Sequence, residues 1–156
     1  MEEKNIRVLI ADDHSLFRTG LRTLLTQLKN LEIVGEAVNG QDLIRRSIEL
    51  SPDVILTDVK MPVMDGIMAT RELARRKINN RVIVLSAYGT EEPILQMLEA
   101  GALGYILKSA DTVEISEAIY TVYRHKPYFC KEITERLTEI VSRKYQSPHN
   151  AELSFS

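Results

Sequence analysis

Val54-Ile55-Leu56-Thr57-Asp58-Val59-Lys60-Met61-Pro62 is the stretch on which the fold of this chain turns. It opens as an apolar run of the kind a strand buried on both faces shows. It ends in a carboxylate and then a Met-Pro pair that does not continue a strand easily. A single Asp at such a place is ordinarily a turn or cap residue. Asp58 has company, however. Val8-Leu9-Ile10-Ala11 runs into Asp12-Asp13, Arg81-Val82-Ile83-Val84-Leu85 into Ser86, and Tyr105-Ile106-Leu107 into Lys108. Ligands of open α/β sheets bind at the carboxyl ends of the strands. Four such ends would gather Asp12, Asp13, Asp58, Ser86 and Lys108 in one crevice.

Working outward, the segments alternate. Strands are expected at 6–11, 31–38, 54–58, 81–86 and 103–107. Helices are expected at about 14–29, 40–50, 65–75, 91–100 and 111–124. Their inward faces are Leu16, Phe17, Leu21, Leu24, Leu25 and Leu28; Leu43, Ile44 and Ile48; Ile67, Thr70, Leu73 and Ala74; Ile94, Leu95 and Leu98; and Ala118, Ile119 and Val122. Asn39-Gly40 marks a turn, Gly101 a helix end, and Asp111 with Glu114 a capping box. Asp12-Asp13 could equally cap the first helix. Arg71, Glu72, Arg75 and Arg76 read as a solvated face.

Five β-α units call for parallel strands with right-handed crossovers. The expected fold is α/β: a doubly wound, flavodoxin-like, five-stranded parallel sheet of order 2-1-3-4-5 with helices on both faces. That order is adopted from the fold class. Beyond it, Lys126-Pro127-Tyr128-Phe129 breaks the pattern. Ile133, Leu137, Ile140 and Val141 then predict an extra C-terminal helix over 131–145, packed back on its own domain or serving as a linker or partner helix. The expected organisation is a domain at 1–125, a linker with an amphipathic helix at 126–146, and a flexible tail at 147–156.

Composition narrows the classes. The chain has 156 residues, 44% hydrophobic, with Lys+Arg 20 against Asp+Glu 22 and net charge −2. That suits one domain plus an extension and argues against DNA binding by charge alone. Cys130 is the single cysteine, so no intrachain disulfide or cysteine metal cluster is expected. No apolar run nears the roughly 20 residues of a membrane span. No signal peptide is visible, so a cytoplasmic location is expected, with no membrane partner.

The strand-end cluster has a joint chemistry. Three clustered carboxylates repel one another unless a cation or a proton joins them. Oxygen donors suit Mg²⁺, which also binds phosphate oxygens. A carboxylate can act as nucleophile and form an aspartyl phosphate. Phosphoryl transfer then needs charge neutralisation and positioning. Lys108 offers a point charge and Ser86 a hydroxyl.

With those residues in view, the chain resembles a response-regulator receiver domain of two-component signalling over residues 5–125. The resemblance rests on Asp12-Asp13, Asp58, Met61-Pro62, Asp65-Gly66, Ser86-Ala87, and Tyr105 three residues before Lys108. It implies that Asp58 accepts a phosphoryl group from a sensor histidine kinase. It implies that Asp12, Asp13, Asp58 and the Lys60 backbone carbonyl hold Mg²⁺ or Mn²⁺. It implies that Lys108 and Ser86 stabilise the phosphoryl group, that Ser86 and Tyr105 form a switch pair, and that Lys60 and Tyr88 border the approach of hydrolytic water. Asp13-His14 and Gly104-Tyr105-Ile106-Leu107-Lys108-Ser109 look closest to the NarL/LuxR-type subfamily. Such regulators usually continue into a helix-turn-helix domain, and Leu153-Ser154-Phe155-Ser156 resembles its opening. A chain cut before that domain is the expectation, with DNA reached only through it and a phosphorylation-dependent homodimer as partner. The implied role is a regulator, not an enzyme, beyond its own phosphoryl transfer and dephosphorylation.

Other readings share the fold. A flavodoxin-like cofactor binder would want Ser, Thr or Gly after the first strand to cradle phosphate. A haloacid-dehalogenase-type phosphatase would want Asp where Lys60 stands. A receiver acting only as a protein-binding module would tolerate loss of the five polar positions, none of which is replaced.

Overall fold

The computed structural model describes residues 5–79, 81–87 and 91–146, with the side chains of 91–93 and 145–146 outside that description. The tail expected at 147–156 lies outside the described residues. The chain opens with β1, Ile6–Ala11, whose residues alternate between two cores. Val8 and Ile10 join one cluster, Leu9 and Ala11 the other. The strand is therefore buried on both faces, which is why it reads as a continuous apolar run rather than an alternating one.

The remaining elements follow in strict β-α order: α1 (Ser15–Thr26), β2 (Leu31–Ala37), α2 (Gly40–Leu50), β3 (Val54–Thr57), α3 (Gly66–Arg75), β4 (Val82–Ser86), α4 (Glu91–Ala100), β5 (Gly104–Leu107), α5 (Thr112–Tyr123), β6 (Tyr128–Phe129) and α6 (Lys131–Gln146). All strands pair in parallel. The sheet order is β2-β1-β3-β4-β5-β6. α1 and α5 lie together on one side, and α2 and α3 on the other, followed by α4 and then α6.

The sheet has six strands, which corrects the expectation of five. Val122 ends the inward face of α5, and His125 turns the chain with φ 63°. Pro127 then prevents further helix, and the aromatic pair Tyr128-Phe129 lies along the free edge of β5. Tyr128 N–H donates to the Leu103 carbonyl at 3.1 Å, and Cys130 N–H to the Tyr105 carbonyl at 3.1 Å. Two residues are too few for a periodic signal. Cys130 and Ile133 continue into the larger core, so the start of α6 packs into it, and α6 lies against α4.

Helix faces are narrower than the apolar residues suggest. On α1, Leu21 and Leu25 are buried, while Leu16 and Leu24 are exposed. Inward positions four apart leave the flanking leucines in solvent. On α4, Ile94, Met97 and Ala100 are buried and Leu95 is exposed. On α2, Ser47 is buried with its hydroxyl donating to the Leu43 carbonyl, and Ile48 faces out. Asn39, Asp65 and Asp111 each cap a helix, accepting from the N–H three residues on at 2.8, 2.8 and 2.9 Å. Glu114 accepts from the Tyr128 hydroxyl at 3.3 Å, tying α5 to β6.

Because Ile133 is fully buried in the main core, Ile133→Ala should lower unfolding free energy by about 2–5 kcal/mol. Chemical denaturation checks this. A loss below about 1 kcal/mol would mean that α6 detaches without disturbing the core.

Candidate functional site

The strand ends converge as a rim of backbone hydrogen bonds. Asp12 N–H reaches the Ala37 carbonyl at 3.0 Å and Asp58 N–H the Ala11 carbonyl at 2.9 Å. Lys108 N–H reaches the Ser86 carbonyl at 2.7 Å. Each bond extends a ladder one residue beyond its strand. The side chains of Asp12, Asp58 and Lys108 are thus fixed by the sheet rather than by loops.

Lys108 bridges the two acids. Its Nζ lies 2.7 Å from Asp12 Oδ2 and 3.0 Å from Asp58 Oδ2. Asp58 Oδ1 accepts from Val59 N–H at 2.7 Å. Asp12 is 1% exposed and Asp58 8%, so both carboxylates sit largely out of water. Burial pushes the Asp58 carboxyl above its ordinary value; the Lys108 hydrogen bond opposes this, and the Asp12 charge adds to it. Burial works against the Lys108 ammonium, but its bonds to Asp12 and Asp58 outweigh burial and raise it.

Asp13 is exposed, and its Oδ1 lies 3.2 Å from His14 Nδ1. His14 also reaches Asp12 Oδ1, at 2.8 Å from its backbone N and 3.0 Å from its ring Nδ1. The capping alternative for the acidic pair does not hold. The N-cap of α1 is His14, without a side-chain cap bond, and no acid lies in the first turn. Oxygens of Asp12, Asp13 and Asp58 and a ring nitrogen of His14 lie within 4.8 Å of one another. Lys108 pairs two of the three carboxylates, and burial leaves the Asp58 carboxyl raised above its ordinary value. A donor set of this kind fits a divalent cation.

Ser86 ends β4, buried, and Tyr105 lies wholly buried on β5. Burial pushes the Tyr105 phenol up, the neighbouring Ser86 side chain lowers it, and the Asp58 charge raises it further. Serine, tyrosine and phosphoacceptor candidate are therefore electrostatic neighbours. Lys60 is exposed, two residues past Asp58. Tyr88 lies outside the described residues. His125 sits away from the crevice, its Nε2 2.7 Å from Arg81.

Three supporting residues were not legible as such. Phe17 places its ring centroid 4.6 Å from Lys108 Nζ, a cation–π contact; in sequence it is one apolar residue of α1. Arg18 donates to the Asp12 carbonyl at 2.6 Å and is itself held by Glu36 at 3.0 Å. Gly66 approaches so closely that a Cβ there would stand 2.1 Å from the Asp58 carbonyl oxygen. Its N–H donates to the Val59 carbonyl at 2.8 Å, closing the loop after β3.

Comparison with known proteins identifies the family of the chain. The family model for the response regulator receiver domain matches residues 8–120. The transcriptional regulatory protein LiaR of Bacillus subtilis is 38% identical over 146 residues, 94% of this chain and 68% of that protein. The response regulator GacA of Pseudomonas viridiflava is 38% identical over 132 residues, 85% of this chain and 62% of that protein. The chain thus spans about two thirds of the length of these relatives. Among solved structures, a two-component response regulator of the LuxR family from Aurantimonas sp. superposes with TM-score 0.82 at 27% identity, over 89% of this chain and 99% of that one.

The raised Asp58 carboxyl sets a sign for stability. Its folded-state pKa exceeds the unfolded value, so the ionised form costs stability above the folded pKa, and that cost is relieved as pH falls through it. Asp58→Asn should therefore melt higher than the parent at pH 7 without divalent cations. The gap should close as pH falls towards the ordinary carboxylate range. Thermal melts across that interval check it; a lower midpoint for the variant at pH 7 would mean that the Lys108 pairing dominates.

Proposed function

The chain belongs to the response-regulator receiver family of two-component systems, and from that premise we propose that Asp58 is its phosphoacceptor. The observation that carries this is the position of Asp58: buried, held at Oδ1 by the Val59 N–H and at Oδ2 by Lys108. A carboxylate so fixed attacks the phosphorus of a kinase phosphohistidine. An oxygen–phosphorus bond forms to Asp58, the phosphorus–nitrogen bond breaks, and the imidazole leaves with the electron pair to take a proton. Lys108, kept cationic by both acids, pairs with the incoming phosphoryl oxygens. Ser86 adds a hydroxyl hydrogen bond.

Asp12, Asp13, Asp58 and the Lys60 carbonyl are the proposed ligands of Mg²⁺ or Mn²⁺. Such an ion, when bound, neutralises phosphoryl charge. Oxygen donors of Asp12, Asp13 and Asp58 within 4.8 Å support this. Ser86 and Tyr105 are the proposed switch pair, the hydroxyl drawn to the phosphoryl group and the buried ring following. Partners are a sensor histidine kinase and, after phosphorylation, a second copy of the chain through helices α4 and α5 or α1 and α6. The name of LiaR, a transcriptional regulatory protein, supports control of transcription, with DNA met through a domain other than this one. No helix among the described residues is long and apolar enough to cross a membrane; the proposed location is the cytoplasm. The chain is a regulator rather than an enzyme of the usual kind, and the chemistry proposed for it includes loss of its own phosphoryl group.

That loss requires water in line with the Asp58 oxygen–phosphorus bond; phosphate leaves and the carboxylate returns. Lys60, exposed beside the site, borders this approach and offers no carboxylate or amide to orient water. It shields the phosphoaspartate, and Tyr88 is given the same role from sequence.

Intact-mass analysis with acetyl phosphate tests the central reading. One phosphoryl group should add in the presence of Mg²⁺, and none with chelator or in Asp58→Asn. Labelling that survives either change would defeat the assignment. In sedimentation the labelled protein should run as a dimer, and an unchanged monomer would remove that part of the reading. Crystals with beryllofluoride should show Tyr105 displaced from its unmodified position, and an unmoved ring would break the switch.

Decay of the labelled protein at fixed pH and Mg²⁺ addresses Lys60. Lys60→Ala and Tyr88→Ala should each lose phosphate faster, because the shorter side chain opens the approach of water to the phosphorus. Unchanged or slower decay in both would place control of water elsewhere.

A further inference from the structure

His14 is the one member of the four-residue cluster that the proposed phosphoryl chemistry leaves without a task. Its ring Nδ1 stands 3.0 Å from Asp12 Oδ1 and 3.2 Å from Asp13 Oδ1. Neighbouring donors around a six-coordinate ion with bonds of about 2.1 Å stand about 3.0 Å apart. The ring nitrogen therefore already lies at donor spacing from two carboxylates. The helix makes no use of the ring, since His14 caps α1 through its backbone with φ −94° and ψ 104° and without a side-chain bond. The ring is also 67% exposed, so a small rotation costs few contacts.

Asp12 cannot give way in the same manner. Its side chain is 2% exposed, with Oδ2 against Lys108. Its Oδ1, the oxygen left for a cation, is the atom that His14 covers. An ion entering there must either expel the ring or accept its nitrogen.

We propose that His14 is a nitrogen ligand of the cation site and tunes it towards Mn²⁺, Co²⁺ or Ni²⁺ relative to Mg²⁺. The inference rests on the reading of Asp12, Asp13 and Asp58 as a cation site. Carboxylate oxygens and water suit Mg²⁺, whereas imidazole adds most to the affinity of later first-row divalent ions. A site with the three acids alone would favour hard ions. Addition of one imidazole shifts the order without altering the carboxylates that meet the phosphoryl group.

Calorimetric titration of the full chain with Mg²⁺ and with Co²⁺, at one pH above the ordinary imidazole range, separates the cases. His14→Ala should weaken Co²⁺ binding by about tenfold and change Mg²⁺ binding by less than about twofold. Electron-spin-echo spectra of the Mn²⁺-loaded parent should carry modulation from a directly bound nitrogen, lost in His14→Ala. Tighter binding of both ions by the variant would show that the ring only competes for Asp12, and would overturn the proposal. Unchanged affinity for both ions, or persistence of the nitrogen signal, would overturn it too. A different failure, in which Asp13→Asn leaves all cation binding intact, would show that the ions bind outside this cluster and would remove the reading on which the inference rests.

Discussion

Everything at the rim of this sheet answers to one ammonium group placed between two buried carboxylates. Lys108 Nζ at 2.7 Å from Asp12 and 3.0 Å from Asp58 joins β5 to β1 and β3 across the carboxyl edge. Desolvation of such groups is costly unless each is paired. The lysine pairs both acids, yet one positive charge does not neutralise two carboxylates and a third beside them. Asp58 stays strained towards protonation. A site in that state is receptive to further positive charge.

The apolar sheet makes this arrangement stiff. β1, β3 and β4 are buried on both faces, and their hydrogen bonds run on to Asp12, Asp58 and Lys108 themselves. Small supporting contacts finish the geometry. Gly66 lets α3 begin hard against the Asp58 carbonyl. Phe17 lays a ring beside the Lys108 ammonium, and Arg18 grips the Asp12 carbonyl. Each of these residues lies within four positions of a helix start, where backbone or side chain can reach the strand ends while the rest of the helix covers the core.

The apolar runs and their polar ends were legible in sequence because both signals are local. Val54-Ile55-Leu56 is buried whatever its neighbours do, and a carboxylate closing such a run must face the edge. The order of the first five strands followed from a fold class, and the sheet has that order within its six. Other features depend on partners distant in sequence. Phe17 is an apolar residue on α1 until Lys108, some ninety positions on, is folded beside it. β6 holds only Tyr128 and Phe129 and owes its existence to the free edge of β5. Leu16, Leu24 and Leu95 look like core residues by type, but the width of the contact stripe excludes them.

Tyr105 ties the rim to the far edge of the sheet. Its hydroxyl end lies beside Ser86, while its own carbonyl receives the Cys130 N–H at 3.1 Å. Phe129 is its partner in the β5–β6 register. Cys130 leads into α6, whose Ile133 occupies the same core as Tyr105. In a close-packed interior a ring of that size moves only as its neighbours repack. Those neighbours include β6 and the first turn of α6, while the Lys108 N–H to Ser86 carbonyl bond holds the ends of β5 and β4 together. In the proposed switch, a displacement of Tyr105 would meet β6 and the first turn of α6, which share its core and its register. The two-residue strand, the weakest pairing in the sheet by length, is where such a displacement is most cheaply absorbed. The first turn of α6 thus shares a core with Tyr105, although among the described side chains of α6 none bonds to the buried carboxylates.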